Sequence, residues 1–171
     1  SNNSTSTVAK ADDVVTVTFT ASESITTPTV TFTSGGDSIT NAPSYNHTLG
    51  DTWTASYTVA SADTDGAVAY SIAFSDTSSN SGTAVTSGTG SVTIDTTAPT
   101  LAAVTAISTP TTDNTPSFVF SSDEAGTITT SISEGFSTST SAFSGNNTIT
   151  FNALSDGTYS GKTVTVTDAT G

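Results

Sequence analysis

The sequence contains no cysteine and no arginine, and it has only two lysines and one histidine. Without cysteine there are no disulfides, no thiolate metal sites and no cysteine nucleophile. Fifteen acidic residues against two lysines give a formal net charge of −13. This balance excludes nucleic acids and anionic membrane surfaces as partners, because both require a cationic protein surface. One histidine without arginine leaves little for acid–base or phosphate chemistry, so we predict that the protein is not an enzyme.

Long apolar runs are also missing. No segment approaches the ~20 residues of a membrane-spanning helix, so we expect no direct insertion into a membrane. No signal-peptide pattern is present, and we therefore expect a mature form or an excised piece of a longer chain. Lysine-poor, cysteine-free and Ser/Thr-rich sequences are typical of proteins outside the cell, so we expect an extracellular or cell-surface location.

The apolar residues are few but regularly placed. They make up 33% of the chain and alternate with threonine and serine, a period that is typical of half-buried β-strands. Clusters of Gly, Asn, Asp and Ser between these segments predict turns. No segment has helical periodicity, so we predict an all-β fold with strands spaced as in a β-sandwich. The alternating sets are Val15/Val17/Phe19/Ala21, Val30/Phe32, Trp53/Ala55/Tyr57/Val59, Val68/Tyr70/Ile72/Phe74, Val92/Ile94, Phe118/Phe120, Ile128/Ile132, Ile149/Phe151 and Val164/Val166.

Residues 95–100, with the sequence DTTAPT, interrupt the alternation. Pro99 lacks a backbone donor and biases the residue before it towards an extended conformation. We therefore predict a boundary here, with one domain over residues 1–97 and a second over residues 98–171. The two halves share a weak internal repeat, which is consistent with a tandem array.

The second domain carries the sharpest fold signal, the sequence LSDGTY at residues 154–159. An Asp-Gly turn before a tyrosine that opens a strand is typical of a corner in immunoglobulin-like sandwiches, where the tyrosine hydroxyl bonds to upstream backbone. An ordinary hairpin turn with a buried tyrosine is the alternative. Asp65 and Gly66 form a second Asp-Gly pair at the equivalent place in the first domain, which favours the corner.

The end of the sequence predicts an incomplete second domain. After the strand at residues 163–167 only four residues remain, too few for a further strand of ~5–6 residues and its loop. We therefore expect the second domain to lack its last strand. Either the chain is a window cut from a longer repeat protein, or a neighbouring subunit supplies the strand.

Several segments resemble bacterial Ig-like repeats. In the first half they are residues 11–23 (ADDVVTVTFTASE), 53–59 (WTASYTV), 63–72 (DTDGAVAYSI) and 92–100 (VTIDTTAPT). Residues 121–126 (SSDEAG) and 146–159 (NNTITFNALSDGTY) resemble a second variety that is found beside them. Such repeats form the stalks of giant adhesins, biofilm-associated proteins and other prokaryotic surface proteins. The resemblance covers nearly the whole chain and implies two tandem immunoglobulin-like β-sandwich domains.

The acidic residues cluster in the predicted loops, which converge at the poles of an immunoglobulin-like sandwich. Carboxylate oxygens are hard ligands of the kind that Ca²⁺ takes. In related adhesin stalks, calcium at the junctions between domains stiffens the linker, so the resemblance implies a Ca²⁺ site at the junction with Asp95 as its first ligand. The alternative is that the acidic residues are solvated and only keep the protein soluble. The predicted ligands are Asp63, Asp65, Asp95 and one of Asp12 and Asp13 from the first domain, Asp123, Glu124 and Asp168 from the second, and Glu23 and Asp76 for a matching site at the opposite pole of the first domain.

Aromatic and imidazole side chains give weaker signals. Trp53 and Tyr57 lie in the inward-facing register, so we predict that they pack in the core of the first domain rather than form a sugar platform. We predict that His47 is a surface loop residue. Glycosylation sequons, which arise easily by chance in so Ser/Thr-rich a chain, stand at Asn2, Asn3, Asn46 and Asn146.

Together these signals predict a structural extracellular module, a stalk or spacer of a prokaryotic cell-surface protein, which calcium stiffens at the junction between its domains. The expected partners are neighbouring Ig-like repeats or identical subunits. Two alternatives stay open. One is a subunit of a self-assembling surface lattice or filament, of the S-layer or pilus type. The other is an adhesin tip that binds carbohydrate, which would need an exposed aromatic groove.

Overall fold

The computed structural model describes all 171 residues and consists of β-strands and connecting segments without a helix. This confirms the predicted all-β class. Accordingly, no helix is long and apolar enough to cross a membrane. The chain divides into two compact units: unit 1 contains Ser1–Thr97 and Thr170, and unit 2 contains Ala98–Ala169 and Gly171.

Unit 1 has eight strands: β1 (Val8–Ala9), β2 (Val14–Thr20), β3 (Thr29–Ser34), β4 (Asp37–Ser38), β5 (Ser44–His47), β6 (Thr52–Thr58), β7 (Gly66–Ala73) and β8 (Thr93–Ile94). They form two sheets with the orders β2-β6-β5 and β1-β8-β7-β3-β4. Gly35 and Gly36 join β3 to β4 with φ angles of 58° and 97°, and two consecutive positive φ angles are what a type I′ hairpin requires.

The core of unit 1 lies between its two sheets. Val15 of β2 and Tyr57 of β6 come from one sheet, and Phe32 of β3, Ile72 of β7 and Ile94 of β8 from the other, each 4% exposed or less. The rings of Phe32 and Tyr57 meet across the sheets with their centroids 4.9 Å apart. The apolar half of each alternating pattern therefore faces inward, and burial of these side chains is the main stabilising contribution.

Unit 2 has six strands: β9 (Leu101–Thr105), β10 (Ser117–Ser122), β11 (Gly126–Thr130), β12 (Ser141–Ala142), β13 (Gly145–Thr150) and β14 (Val164–Thr167). They form two sheets with the orders β13-β10-β9 and β12-β11-β14. The core again takes side chains from both sheets, with Phe120 and Ile149 from the first and Ile128 and Val166 from the second, none more than 9% exposed.

The two units share one pairing scheme. In unit 1, β2 pairs with β6 in one sheet and β3 pairs with β7 in the other. In unit 2, β10 pairs with β13 and β11 pairs with β14 in the same interlocked order. Unit 1 adds β8 beside β7, whereas no strand lies on the corresponding side of β14. Within these 171 residues β14 is therefore an edge strand of its sheet.

The prediction of a loop at His47 is wrong. His47 ends β5, lies opposite Trp53 of β6, and stacks on its indole with ring centroids 4.3 Å apart and planes inclined by 16°. The sequence Ser-Tyr-Asn-His has no apolar alternation, and pairing with β6 makes it a strand. Trp53 and Tyr57 are 8% and 2% exposed, in agreement with their predicted inward register.

Candidate functional site

Asp63 is the most buried of the predicted calcium ligands, with 5% of its surface exposed. Its Oδ1 accepts a hydrogen bond from the Thr40 N–H at 2.7 Å, and its Oδ2 accepts one from the Ala60 N–H at 2.9 Å. Partial desolvation raises the pKa of Asp63, but the bonds from Ala60 and Thr40 outweigh it, so the pKa lies below the ordinary value of 3.8. Both oxygens thus fasten the segment after β4 to the turn after β6.

Asp65 holds the end of unit 1. Its Oδ1 accepts bonds from the Thr96 N–H at 2.7 Å and the Thr96 hydroxyl at 2.9 Å, and its Oδ2 accepts one from the Thr97 hydroxyl at 2.7 Å. Partial desolvation raises the pKa of Asp65, but the hydrogen bonds from Thr97 and Thr96 outweigh it, so the pKa lies below the ordinary value of 3.8. The next residue must be glycine, because a Cβ on Gly66 would lie 2.7 Å from the Gly35 Cα and its φ is +141°.

Asp95 and Asp76 are also bound within unit 1. The half-buried Asp95 follows β8, donates its N–H to the Ala9 carbonyl at 2.9 Å, and receives the Thr97 N–H on Oδ1 at 3.3 Å. Asp76 closes its own loop, with the N–H groups of Ser78 and Asn80 on Oδ1 at 2.8 Å each and the Asn80 amide on Oδ2 at 2.7 Å. The Asn80 side chain contributes most to holding the pKa of Asp76 below 3.8.

The predicted ligands of unit 1 do not assemble into a cluster. No three acidic side chains of unit 1 bring carboxylate oxygens within 4.8 Å of one another. Glu23 is exposed. It lies two residues before Ile25, which forms an isolated β-bridge with Asp76. Most of these carboxylates instead accept backbone N–H groups of nearby loops, which is the commonest use of an aspartate at a turn.

In unit 2 the structure brings two predicted ligands together. A carboxylate oxygen of Glu124 and one of Asp168 lie within 4.8 Å of each other, and both side chains are half-buried. The Ser122 hydroxyl donates to the Glu124 carbonyl at 2.6 Å, and the Gly171 N–H donates to Asp168 Oδ1 at 3.0 Å. Because Glu124 precedes β11 and Asp168 follows β14, the pairing of these two neighbouring strands places the carboxylates at one end of the sheet.

Asp123 anchors the beginning of unit 2. Its Oδ1 accepts the Thr100 N–H at 2.7 Å, and this bond contributes most to holding the pKa of Asp123 below 3.8. Asp65 and Asp123 therefore fix the two ends of the segment between the units, each within its own unit. Both were predicted as metal ligands, and the structure assigns each of them hydrogen bonds to linker residues.

Two like charges at the separation of Glu124 and Asp168 repel each other. Coulomb's law gives roughly 1 kcal/mol for 4.8 Å in water and about 3–4 kcal/mol at an effective dielectric constant of ~20. A divalent cation between the oxygens would replace this repulsion by attraction. The donor set consists of hard carboxylate oxygens, which fits Ca²⁺ or Mg²⁺ better than a soft transition metal.

The structure shows three further features outside the pair formed by Glu124 and Asp168. Asp13 Oδ2 accepts bonds from the Asn3 side chain at 2.8 Å and the Lys10 N–H at 2.9 Å, so the sequon nitrogen of Asn3 is engaged. The buried Tyr57 hydroxyl has no hydrogen-bond partner, and burial together with the charge of Asp63 raises the pKa of Tyr57 to about 12. Unit 2 contains a cavity of about 1010 Å³ that is lined by both apolar and polar residues. The surroundings of Tyr57 and the cavity depend on segments distant in sequence, which a local pattern does not reveal.

Comparison with protein families, curated proteins and solved structures finds no match for this chain.

Proposed function

We propose that this chain is a structural repeat module of an extracellular prokaryotic surface protein, a stalk or spacer built from two Ig-like β-sandwiches in tandem. The observation that carries the proposal is that two compact units, each with its own two-sheet core, follow one another through a short segment held at both ends by carboxylates. Asp65 holds Thr96 and Thr97, and Asp123 holds Thr100. A linker fastened in this way suits a module that transmits tension and sets distance.

The interlocked strand pairing supports the Ig-like assignment. In both units the paired strands alternate between the two sheets along the chain, as in immunoglobulin-like sandwiches. In unit 2 the Tyr159 hydroxyl donates to the Ser155 carbonyl at 3.1 Å. This is the backbone contact expected of a tyrosine corner after an Asp-Gly turn.

Calcium is the proposed stiffening agent, with Glu124 and Asp168 as the primary ligands. Their proximity and partial burial support the proposal, and Asp95 is the ligand that the resemblance assigns to the linker. Ca²⁺ takes six to eight oxygen ligands, so backbone carbonyls and water would complete the shell. Asp63, Asp65 and Asp76 are left out of the proposed ligand set, because both carboxylate oxygens of each already accept N–H or hydroxyl groups.

Calorimetric titration with Ca²⁺ tests the ligand set. We expect saturable binding, with a dissociation constant of about 10⁻⁴–10⁻³ M as in extracellular modules. Asp168→Asn should weaken binding about tenfold or more, because it removes a charged ligand. Asp156→Asn is the matched control, since Asp156 is an exposed residue of the same unit. Equal binding by both variants, or no saturable binding at millimolar calcium, would remove calcium from the proposal.

Small-angle scattering in calcium and in EDTA tests the spacer function itself. A spacer stiffened by calcium gives a longer and narrower distribution of interatomic distances when the ion is bound. Calcium binding with an unchanged distribution would leave a metal site without a mechanical role.

A self-assembling lattice or filament subunit is the second candidate, and the uncovered edge of β14 favours it. Growth of the scattering mass with protein concentration would select this alternative over a monomeric spacer.

A further inference from the structure

The chain contains two Asp-Gly pairs, Asp65-Gly66 in unit 1 and Asp156-Gly157 in unit 2. In such a pair an aspartate carboxyl lies next to a backbone nitrogen that no neighbouring side chain shields. Attack of the glycine nitrogen on the aspartate Cγ closes a five-membered ring, so the pair is reactive wherever the two groups are free to meet. The two pairs have the same local sequence but different surroundings in the structure.

The pair Asp65-Gly66 is held on both sides of its peptide bond. The carboxylate oxygens of Asp65 accept three hydrogen bonds from Thr96 and Thr97. Gly66 begins β7 and pairs with Ile94 of β8. Alternate residues of β7 direct their N–H groups to that side, so the Gly66 nitrogen is engaged in the sheet. Ring closure here would require breaking the bonds of both reacting groups.

The pair Asp156-Gly157 is free on both sides of its peptide bond. Both residues are exposed at a bend outside the strands. No hydrogen bond in the structure engages the Asp156 carboxylate or the Gly157 N–H. A Cβ added to Gly157 would meet nothing within 4 Å, so no packed neighbour opposes movement of the carboxyl onto the nitrogen.

The residues on either side of this bend are anchored. The Leu154 N–H donates to the Asn114 carbonyl at 2.8 Å, and the Leu154 side chain packs against the core of unit 2. The Tyr159 hydroxyl donates to the Ser155 carbonyl at 3.1 Å. The bend is therefore a short piece of unbonded backbone between fixed points, and the contact between Tyr159 and Ser155 depends on its length.

We propose that Asp156 is a site of spontaneous backbone modification, at which aspartate converts to isoaspartate through a cyclic succinimide, whereas Asp65 stays unchanged. The Gly157 nitrogen bonds to Cγ of the protonated Asp156 carboxyl, the bond from Cγ to the hydroxyl breaks, and the hydroxyl leaves as water with the amide proton. Water then opens the ring at the former main-chain carbonyl, which becomes a carboxylate, and the chain continues through Cβ and Cγ. Mass and charge are unchanged overall, and the reaction requires only water.

The product lengthens the turn of the tyrosine corner. Isoaspartate adds one backbone atom between Ser155 and Tyr159, and Leu154 keeps the beginning of the turn in place. The Ser155 carbonyl is therefore displaced from the Tyr159 hydroxyl. We expect the melting temperature of unit 2 to fall by about 4–8 °C, the shift that loss of one hydrogen bond gives in a domain of this size.

The test ages the full 171-residue chain in mildly acidic buffer, which supplies the protonated carboxyl, once folded and once in urea. The aged chain is denatured and digested with endoproteinase Asp-N, which cuts before aspartate but not before isoaspartate. In the folded chain, cleavage before Asp156 should be lost about tenfold or more faster than cleavage before Asp65, because Asp65 must first break hydrogen bonds to its charged carboxylate. In urea both pairs are free, and the two rates should become similar. An unchanged mass of the resistant peptide identifies isomerisation.

Two variants check the chemistry at the bend. Asp156→Glu keeps the charge at an exposed position but would need a six-membered ring. Gly157→Ala places a methyl group beside the attacking nitrogen, at a position with open space and no positive φ. Both variants should melt like the fresh native chain, and after ageing both should keep that melting curve while the native chain loses it.

The proposal is overturned if cleavage before Asp156 persists, if Asp65 loses cleavage at the same rate in the folded chain, or if Asp156→Glu ages like the native chain. Isomerisation at Asp156 with an unchanged melting curve would overturn the predicted loss of the corner contact. The reaction needs neither calcium nor a neighbouring module, so this proposal and the spacer proposal fail separately.

Discussion

Replacing Asp63 by asparagine is expected to destabilise unit 1 by about 2–4 kcal/mol. Asp63 is 5% exposed, and each of its oxygens accepts one backbone N–H. A hydrogen bond to a charged acceptor contributes ~1.5–3 kcal/mol. Asparagine keeps one acceptor oxygen but turns an NH₂ group towards the second N–H. One bond is then lost with its donor left unpaired, and the other loses its charge assistance.

The single tryptophan makes the assay specific for unit 1. Trp53 is 8% exposed in β6, so its fluorescence follows the unfolding of unit 1 in urea. Asp12→Asn is the matched control, because Asp12 is exposed and asparagine tolerates its φ of 73°. We expect Asp63→Asn to lose the same free energy of unfolding in EDTA and in calcium, and Asp12→Asn to stay within ~0.5 kcal/mol of the native chain.

The pH dependence provides a second readout. The pKa of Asp63 is depressed below 3.8 in the folded state, so its contribution is fully present above the unfolded value and is lost as pH falls through the folded pKa. The difference in free energy of unfolding between the native chain and Asp63→Asn should therefore shrink as the pH falls below about 4. A loss smaller than ~0.5 kcal/mol at neutral pH, or one that appears only with calcium, would refute the structural role and return Asp63 to the set of metal ligands.

Three other substitutions probe the linker and unit 2. Asp65→Ala should speed amide exchange at Thr96 while costing unit 1 no more than ~1–2 kcal/mol, since the site is exposed to solvent; unchanged exchange would contradict the anchoring role. Tyr159→Phe removes the hydroxyl bonded to the Ser155 carbonyl and should destabilise unit 2 by ~0.5–1.5 kcal/mol in circular-dichroism melts, with the Trp53 transition unchanged. Ile149→Ala, at a position that is 0% exposed, should cost unit 2 ~2–5 kcal/mol in the same melts, and a value under ~1 kcal/mol would argue against a packed core there.

The predictable part of the fold is the part encoded by alternation. β6 carries Trp53, Ala55 and Tyr57 on one face, and these residues are buried as the period of two requires. Ser44–His47 and Leu101–Thr105 have no such period, and both are edge strands whose pairing depends on a neighbour already in place. An edge strand is half solvated, so its sequence is less constrained by burial.

The acidic residues show why the contacts of the candidate site could not be predicted from the sequence. The sequence places aspartates in loops, but the partner of each carboxylate is decided by tertiary folding. Asp63 meets Thr40, which is 23 residues away, and Asp65 meets Thr96, which is 31 residues away. A loop aspartate that binds backbone N–H groups and one that awaits a cation have the same local sequence, because both use the same oxygens.

The parallel pair β1–β8 determines how unit 1 responds to pulling. These strands are the first and last of unit 1, and two bonds of 2.9 Å join them, from the Thr93 N–H to the Thr7 carbonyl and from the Asp95 N–H to the Ala9 carbonyl. When the two ends of unit 1 are drawn apart, parallel neighbours slide lengthwise against each other. Both bonds then lie across the pulling direction and share the load, so they must break together.

In unit 2 the strands β9 and β14 do not pair with each other, because β9 pairs with β10 and β14 pairs with β11. Force on its ends reaches no bond between β9 and β14, and the two sheets can part without shearing a terminal pair. We therefore expect the paired terminal strands of unit 1 to resist a higher pulling force than β9 and β14 of unit 2, which do not pair with each other.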